Sequence, residues 1–331
     1  MALACFGGLC PNIHPMNSPL HVAPNRWAAP LLLLLLGFVW GSSFILIKMG
    51  LFARDGSALF PPTQLAALRM AIAGITLLPI SLRNFKKLTS EQWKWVSLVG
   101  IVGSFIPALL FAVAQTQLPS AVAGMINALT PLWTLMIAIA VFGVPFQKGQ
   151  LLGLGFGLVG TVGLIWNPAA SFEAAWGPGA LLILATICYG TSVNVTREKL
   201  QSLKGPVIAS CSLALVAMPA SIWFITGDIP ALIASHPDGT RGLLAIIVLS
   251  AIGTAGALVL FNQIIAWTSS VFAASVTYII PVFAAFWGWM DGEPLQANHI
   301  LAGALILLGV WITHRAGRQS IRQTSKPNAP K

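Results

Sequence analysis

The sequence predicts an all-α membrane protein with ten transmembrane helices in two inverted five-helix repeats. Three observations support this prediction: the composition is apolar, ten apolar runs have spanning length, and a pattern recurs after about 150 residues. Hydrophobic residues make up 56% of the 331 residues and charged residues 8%, with a mean hydropathy of +0.83. A soluble domain has roughly one quarter charged residues, so this chain cannot cover a water-facing surface.

Each predicted span is an apolar run of about the 20 residues that a helix needs to cross a bilayer. A β-barrel would show short alternating segments instead, and the connections are too short for a soluble domain. The spans are placed at 28–50, 62–82, 95–116, 120–142, 150–166, 177–196, 206–226, 242–266, 270–290 and 299–314.

Basic residues are unequally distributed between the two sides of this arrangement. The termini and the loops on their side carry fourteen Lys and Arg, the opposite side carries three, and Arg69 alone lies within a span, which accounts for all 18. The positive-inside rule therefore places both termini in the cytoplasm of a multi-pass protein of the cell (inner) membrane. This orientation, and not nucleic-acid binding, explains the net charge of +10. Lys48 is interpreted as an anchor at the membrane interface.

The first half of the chain recurs in the second half. An offset of 149 aligns Trp40-Gly41-Ser42-Ser43 with Tyr189-Gly190-Thr191-Ser192. Because each copy holds an odd number of helices, the second copy must cross the membrane upside down, as in transporters that alternate their access about a central site. An offset of 150 pairs Gly103 with Gly253, Phe111 with Phe261, Ser120 with Ser270, Ala123 with Ala273, Pro131 with Pro281 and Gly153 with Gly303.

WGSSFILIKMGL, LAALRMAIAG and CYGTSVNVTREKL, in this order and with this repeat, resemble the EamA-type branch of the drug/metabolite transporter superfamily. The resemblance covers about residues 30–314. It implies a central cavity lined mainly by helices 1, 3, 4, 6, 8 and 9, and movement of small metabolites, commonly amino acids and related compounds, often outward and often against a proton gradient. The second half departs from the first at Arg69, since it offers only Leu213 nearby.

The resemblance and the spans divide the chain into four parts. They are an N-terminal cytoplasmic segment (1–27), a first EamA-type five-helix repeat (28–166), a second such repeat (177–314) and a basic cytoplasmic tail (315–331). Met16 is a second candidate for the first residue of the chain.

Polar and aromatic side chains within the spans are the candidates for a substrate-binding site, because a polar group in hydrocarbon has to pair or face a cavity. Packing is the alternative, since small and hydroxyl residues let helices approach and can bond their own backbone. The candidates are Trp40, Ser43, Arg69, Asn127, Thr130, Tyr189, Ser192, Asn194, Asn262 and Tyr278.

Arg69 is the candidate that most requires an explanation, because an arginine at a helix centre costs about 2.5–3.5 kcal/mol on insertion scales. Its fork of donors could capture a substrate carboxylate. Alternatively, it could bond backbone carbonyls or extend towards the interface.

The residues that are absent restrict the mechanism. No Asp or Glu lies within a predicted span, and motifs of hydrolases, metalloproteases and nucleotide-driven pumps are missing. We therefore expect a secondary transporter for small organic metabolites, amino-acid-like ones first, with efflux as the expected direction. No enzyme activity, cofactor or metal is expected. The partners are the substrate and the lipid bilayer, with proton coupling and a homodimer left open. A lipid or amphiphile flippase is the alternative, and a non-transporting scaffold is less favoured.

Overall fold

The computed structural model describes residues 27–144, 148–165, 172–226, 229–267, 275–294 and 296–324. Within these ranges the chain is helical apart from short connections, and the one β-type pairing is an isolated bridge between Phe52 and Ala58. Residues 1–26 with Met16, the repeat positions Ser270 and Ala273, and residues 325–331 lie outside the described residues.

Fourteen α-helices form the described part of the chain. Two π-helices (Ile101–Phe105 and Ala251–Gly256) and two 3-10 helices (Phe85–Lys87 and Ser275–Tyr278) complete it. The α-helices are α1 (Ala28–Leu51), α2 (Pro62–Asn84), α3 (Ser90–Gly100), α4 (Ile106–Ala114), α5 (Ser120–Asn127), α6 (Thr130–Phe142), α7 (Lys148–Ile165), α8 (Phe172–Lys199), α9 (Gly205–Thr226), α10 (Ile229–Ser235), α11 (Gly239–Ser250), α12 (Ala257–Trp267), α13 (Ile280–Met290) and α14 (Ala297–Thr324).

Most of these helices match the predicted spans in length and composition. Seven continuous segments are long and apolar enough to cross a membrane, and three shorter apolar helices cover Gly149–Ile165, Val276–Met290 and Ala297–Thr313. Large apolar side chains such as Leu31, Leu82, Leu152 and Trp289 remain exposed on the outside of the bundle, as a lipid-facing surface requires. The prediction of an all-α membrane protein is confirmed.

The two π-helices interrupt the third and eighth predicted spans at equivalent places. One joins α3 to α4 around Gly103 and the other joins α11 to α12 around Gly253, which is 150 residues further on. A π turn holds an extra residue and frequently occurs at functional sites. The wider turns therefore lie where a binding site would need backbone groups to be accessible.

Two glycines bring α1 against α13 and α8 against α6. A Cβ added to Gly41 would lie 2.5 Å from Phe283 Cβ, and one added to Gly190 would lie 2.8 Å from the Thr134 backbone nitrogen. Gly41 also contacts Ala284, which corresponds to Thr134 at the 150-residue offset. Only glycine permits either contact, so the two halves use the same residue type at the same crossing.

Two serines extend this pattern to the π-helices. Ser43 of α1 lies against Gly253, where an added Cβ would be 3.0 Å from the serine Oγ. Ser192 of α8 lies against Gly103, where an added Cβ would overlap the serine hydroxyl. Each half therefore packs the serine of its first helix on the π-helix of the other half.

The glycines of α7 pack within the chain. A Cβ on Gly160 would lie 2.6 Å from the Ala302 backbone oxygen of α14, whereas nothing lies within 4 Å of a Cβ on Gly155. Close approach of backbones at small residues is the usual way in which membrane helices associate. The α7–α14 pair is thus held by intrachain contacts.

We expect Gly160→Leu to destabilise the protein and Gly155→Leu to leave it unchanged. The first side chain would push α14 away, and overpacking of this kind costs about 1–3 kcal/mol; the second would enter open space. Thermal unfolding in detergent, followed by size-exclusion chromatography, measures the difference. Equal midpoints for the two variants would contradict the α7–α14 contact.

Candidate functional site

Arg69 lies on the inner side of α2. Leu78 is nine residues further along this helix, about two and a half turns and so on the opposite face, and it is 40% exposed with the lipid-facing residues. The Arg69 Nε donates to Thr254 Oγ1 at 3.0 Å, and that hydroxyl donates to the Leu249 backbone oxygen at 3.0 Å. The π-helix at 251–256 therefore orients the guanidinium.

The terminal groups of the guanidinium are available for a ligand. Arg69 keeps accessible surface, and Thr254 is its one hydrogen-bond partner among the described residues, with no ion pair to a carboxylate there. The Arg69 guanidinium and the Tyr189 phenol are close enough to interact electrostatically. A guanidinium with its paired amino groups free binds carboxylates and phosphates bidentately.

Aromatic rings surround this arginine. Trp40 Nε1 donates to the Gly253 backbone oxygen at 3.1 Å, next to the threonine that holds Arg69, and its ring packs on Phe261 at 5.4 Å between centroids. The Tyr189 ring stacks on Phe111 at 6.1 Å with an interplanar angle of 30°. Trp40 and Arg69, predicted separately from the sequence, are thus both bonded to the π-helix at 251–256, and Tyr189 is linked to them through its electrostatic interaction with Arg69.

Three other predicted residues are occupied in helix packing. Ser43 and Ser192 are buried against the π-helix glycines, and the Ser43 hydroxyl donates to the Val39 backbone oxygen at 3.2 Å. Asn194 Nδ2 donates to the Thr134 and Gly190 backbone oxygens at 2.8 and 2.9 Å. The packing alternative is therefore favoured for these three side chains.

The remaining candidates lie at the breaks in the spans. Asn127 and Thr130 are half-buried where α5 ends and α6 begins, and the Thr130 hydroxyl donates to the Asn127 backbone oxygen at 2.8 Å. Tyr278 ends the 3-10 helix before α13 and is half-buried against the core. Asn262 is a residue of α12, and its side chain lies outside the described residues.

Sequence reasoning missed Thr254 and the rings of Phe111 and Phe261. The repeat carried a signal for all three, because the 150-residue offset pairs Thr254 with the hydroxyl residue Ser104 and pairs Phe111 with Phe261. Because both halves have a hydroxyl residue and a phenylalanine at these equivalent positions, the repeat would have indicated that they lie near the candidate site.

The Tyr189 face of α8 is buried towards one end of the molecule and exposed towards the other. We call them the Lys48 end, which includes Lys48, Ser120 and Glu293, and the Arg197 end opposite. On the Tyr189 face of α8, Leu182 and Thr186 towards the Lys48 end are 0% exposed, whereas Val193 towards the Arg197 end is 49% exposed. Leu184, on the opposite side of α8, is 46% exposed with the lipid-facing residues.

The model of the EamA-like transporter family matches this chain twice, at residues 27–166 and 178–315. The chain belongs to the EamA-like transporter family. The first matched segment ends after α7 and the second begins within α8. The π-helix at 101–105 lies in the first segment, and the π-helix at 251–256, which orients Arg69, lies in the second. The family and the seven long apolar segments together make it a multi-pass membrane protein of a transporter family.

Curated relatives of this EamA-like protein are named as transporters. It is 28% identical over 285 residues to the uncharacterized inner membrane transporter YedA of Escherichia coli K12, with 82% of this chain and 86% of the relative covered. It is 25% identical over 313 residues to the S-adenosylmethionine/S-adenosylhomocysteine transporter of Chlamydia trachomatis serovar L2 (89% and 92% covered).

Two further comparisons extend these similarities. The chain is 24% identical over 292 residues to a probable amino-acid metabolite efflux pump of Salmonella typhimurium, with 85% of this chain and 93% of the relative covered. A crystal structure aligns with a TM-score of 0.60 and 20% identity over 89% of this chain and 99% of its own, which supports the fold alone.

We expect cysteines at Val193 and Leu184 to react differently with a membrane-impermeant thiol reagent, in a background that lacks the four native cysteines. Val193→Cys should react because its face opens to water, and Leu184→Cys should resist because it faces lipid. Labelling in membrane vesicles of both orientations, read by mass shift on a gel, measures the rates. Equal rates would show that Val193 also faces lipid.

Proposed function

We propose that this EamA-like protein is a secondary transporter that moves small organic metabolites, amino-acid-like ones in particular, across the cell membrane by alternating access. The observation that supports this most is the Arg69 guanidinium, which lies mid-helix with Thr254 as its partner and with accessible surface beside Trp40 and Tyr189. In the proposal, these residues hold a carboxylate-bearing substrate.

Charge balance supports a negatively charged group on the substrate. A mid-span arginine costs about 2.5–3.5 kcal/mol unless something compensates it, and none of the eight Asp and Glu of the sequence lies in the middle of a predicted span. The compensating anion would therefore arrive with the substrate. A substrate carboxylate would receive two parallel hydrogen bonds from the guanidinium amino groups.

The surrounding rings support an organic body attached to that carboxylate. Trp40 with Phe261 and Tyr189 with Phe111 provide apolar faces next to Arg69. The compounds in the relatives' names, S-adenosylmethionine, S-adenosylhomocysteine and amino-acid metabolites, share an amino-acid carboxylate with a larger body. Binding by one ionic contact and several aromatic faces would suit this class of molecule.

Alternating access by two inverted repeats is part of the proposal. It is supported by the two family matches, by π-helices 150 residues apart and by the equivalent crossings at Gly41 and Gly190. The proposed repeats keep their predicted bounds, 28–166 and 177–314, in a protein of the inner membrane. Two halves related in this way can rock about a site at their interface.

The proposed direction is outward. With both termini in the cytoplasm, the accessible Arg197 end faces the cytoplasm and the Lys48 end faces outside. The half-exposed Val193 then lies on the route by which a cytoplasmic substrate would reach Arg69. This supports loading from the cytoplasm, as efflux requires.

Transport in proteoliposomes tests the role of Arg69. We expect purified protein to carry labelled amino-acid-type carboxylates but not their amides, and Arg69→Gln to weaken transport by roughly ten- to a hundredfold, the loss of a hydrogen bond to a charged group. Arg83→Gln, an exposed arginine of the same helix, is the matched control and should transport normally.

Two results of this experiment would contradict the proposal. Transport of carboxylates by Arg69→Gln at the rate of the unmodified protein would remove the arginine from the site. Scrambling of labelled lipid without flux of any solute would support the flippase alternative instead.

Cysteines at Lys87 and Asp55 test the proposed orientation. Both positions are exposed, Lys87 after α2 and Asp55 between α1 and α2. We expect impermeant reagents to label them from opposite sides of the membrane, Asp55→Cys from outside. Labelling of both from one side would contradict the proposed crossing of α2.

A further inference from the structure

Glu293 is a buried carboxylate with three protein donors. Its side chain is 3% exposed, and Oε1 lies 2.9 Å from Lys48 Nζ. Oε1 also accepts the Ser120 backbone N–H at 2.9 Å, and Oε2 accepts the Ala121 N–H at 3.2 Å. These two amides begin α5, whose preceding residue Pro119 provides no side-chain cap. Glu293 therefore caps α5 from a different part of the chain.

Lys48 joins α1 to the same cluster. Its ammonium lies 2.7 Å from Asp291 Oδ2 and 2.9 Å from Glu293 Oε1, at the end of α13 and in the connection to α14. Its role is therefore not limited to the predicted interface anchor. The end of α1, the start of α5 and the α13–α14 connection are held at one point. We call Lys48 and Glu293 the ionic lock.

A second layer lies between the ionic lock and Arg69. Gln115 Nε2 and Ser120 Oγ both donate to the Phe44 backbone oxygen of α1, at 2.8 and 3.4 Å. The Phe44 ring packs on Phe111 at 5.7 Å, and Phe111 in turn stacks on Tyr189 at 6.1 Å. The contacts at the Lys48 end thus form a continuous series from the ion pair to the Tyr189 ring beside Arg69.

The described part of the Arg197 end lacks this arrangement. In the sequence, Gly143-Val144-Pro145 corresponds to Gly292-Glu293-Pro294 at an offset of 149, and both glycines have positive φ, 68° and 75°. A valine thus takes the place of the glutamate after the equivalent glycine.

The counterpart of Lys48 at the Arg197 end is Arg197 itself. Its side chain is 72% exposed, and its ion-pair partner is the neighbouring Glu198, 3.6 Å away. An exposed pair of adjacent residues on one helix joins no two elements. A buried ion pair between elements is thus found at one end only among the described residues.

We infer that the ionic lock holds the Lys48 end closed in this conformation, and that Lys48 and Glu293 must separate for the site to open there. The inference rests on the proposed alternating access. Removing Lys48 would leave the buried Glu293 carboxylate without its cation, and changing Glu293 to Gln would take a carboxylate acceptor from the two amides that begin α5. Either change therefore destabilises the state that contains the ionic lock. The closed state would therefore lose population to the state that is open at the Lys48 end.

Reciprocal accessibility tests the ionic lock. Two reporters are used in the background without native cysteines: Ile47→Cys, on the Trp40 face of α1 and 1% exposed in the native residue, and Val193→Cys at the other end. We expect Glu293→Gln and Lys48→Met to raise labelling of the first by at least about tenfold and to lower labelling of the second.

Three variants separate the ionic lock from general loosening. Asp291→Asn removes the other partner of Lys48. The Asp291 side chain is 36% exposed, and an exposed pair contributes little. Neither labelling rate should therefore change more than about twofold. Lys48→Arg should likewise keep both rates. A rise of both rates in Glu293→Gln, or no change in either, would overturn the inference.

Cysteine labelling does not require the substrate to be known. The ionic lock and the proposed function can therefore be rejected independently of each other. Opposite changes at the two reporters without carboxylate flux would retain the ionic lock and reject the proposed substrate class. Carboxylate flux with unchanged labelling in Glu293→Gln would retain the transporter and reject the ionic lock.

Discussion

Direct contact between helix backbones is the constraint on which the rest of this structure depends. Lipid removes the hydrophobic drive that would press helices together in water, so close van der Waals contact has to replace it. At Gly74 and Gly100 an added methyl group would lie 2.9 and 2.6 Å from backbone oxygens of α9, at Leu213 and Ser212. At Gly103 and Gly253 it is serine side chains that pack closely on the two π-helices, and one of these π-helices orients Arg69.

Polar groups in the described part of the molecule differ in how completely the protein satisfies them. Asn194 and Gln115 give their amide donors to backbone oxygens of neighbouring helices. Glu293 receives three donors. Arg69 has one hydrogen-bond partner in the described part of the chain, Thr254. An incomplete shell around a charge within a span is unusual because it is costly, and for this reason the proposed function begins at Arg69.

The sequence predicted those features that depend on helix periodicity or on residue type alone. The apolar runs predicted the helices. Residue type singled out Trp40, Arg69 and Tyr189, whose role in binding stays a prediction, and the structure bonds the first two to one π-helix. Ser43, Ser192 and Asn194 fitted packing and binding equally well, and only their neighbours could decide. Sequence reasoning missed Glu293 because its partners, Lys48 and Ser120, lie 245 and 173 residues away in the sequence. No helical or strand periodicity relates residues at such separations.

The π-helices also determine how the chain can change in length. A π turn contains one residue more than the α-helical turn it replaces, so the loss of one residue from 101–105 would be absorbed by a change from π-helix to α-helix. Gln115 would then keep the Phe44 backbone oxygen and Phe111 would keep Tyr189. A deletion within α4 before Phe111 has no extra residue to remove, so it would rotate both side chains by about 100° and break both contacts.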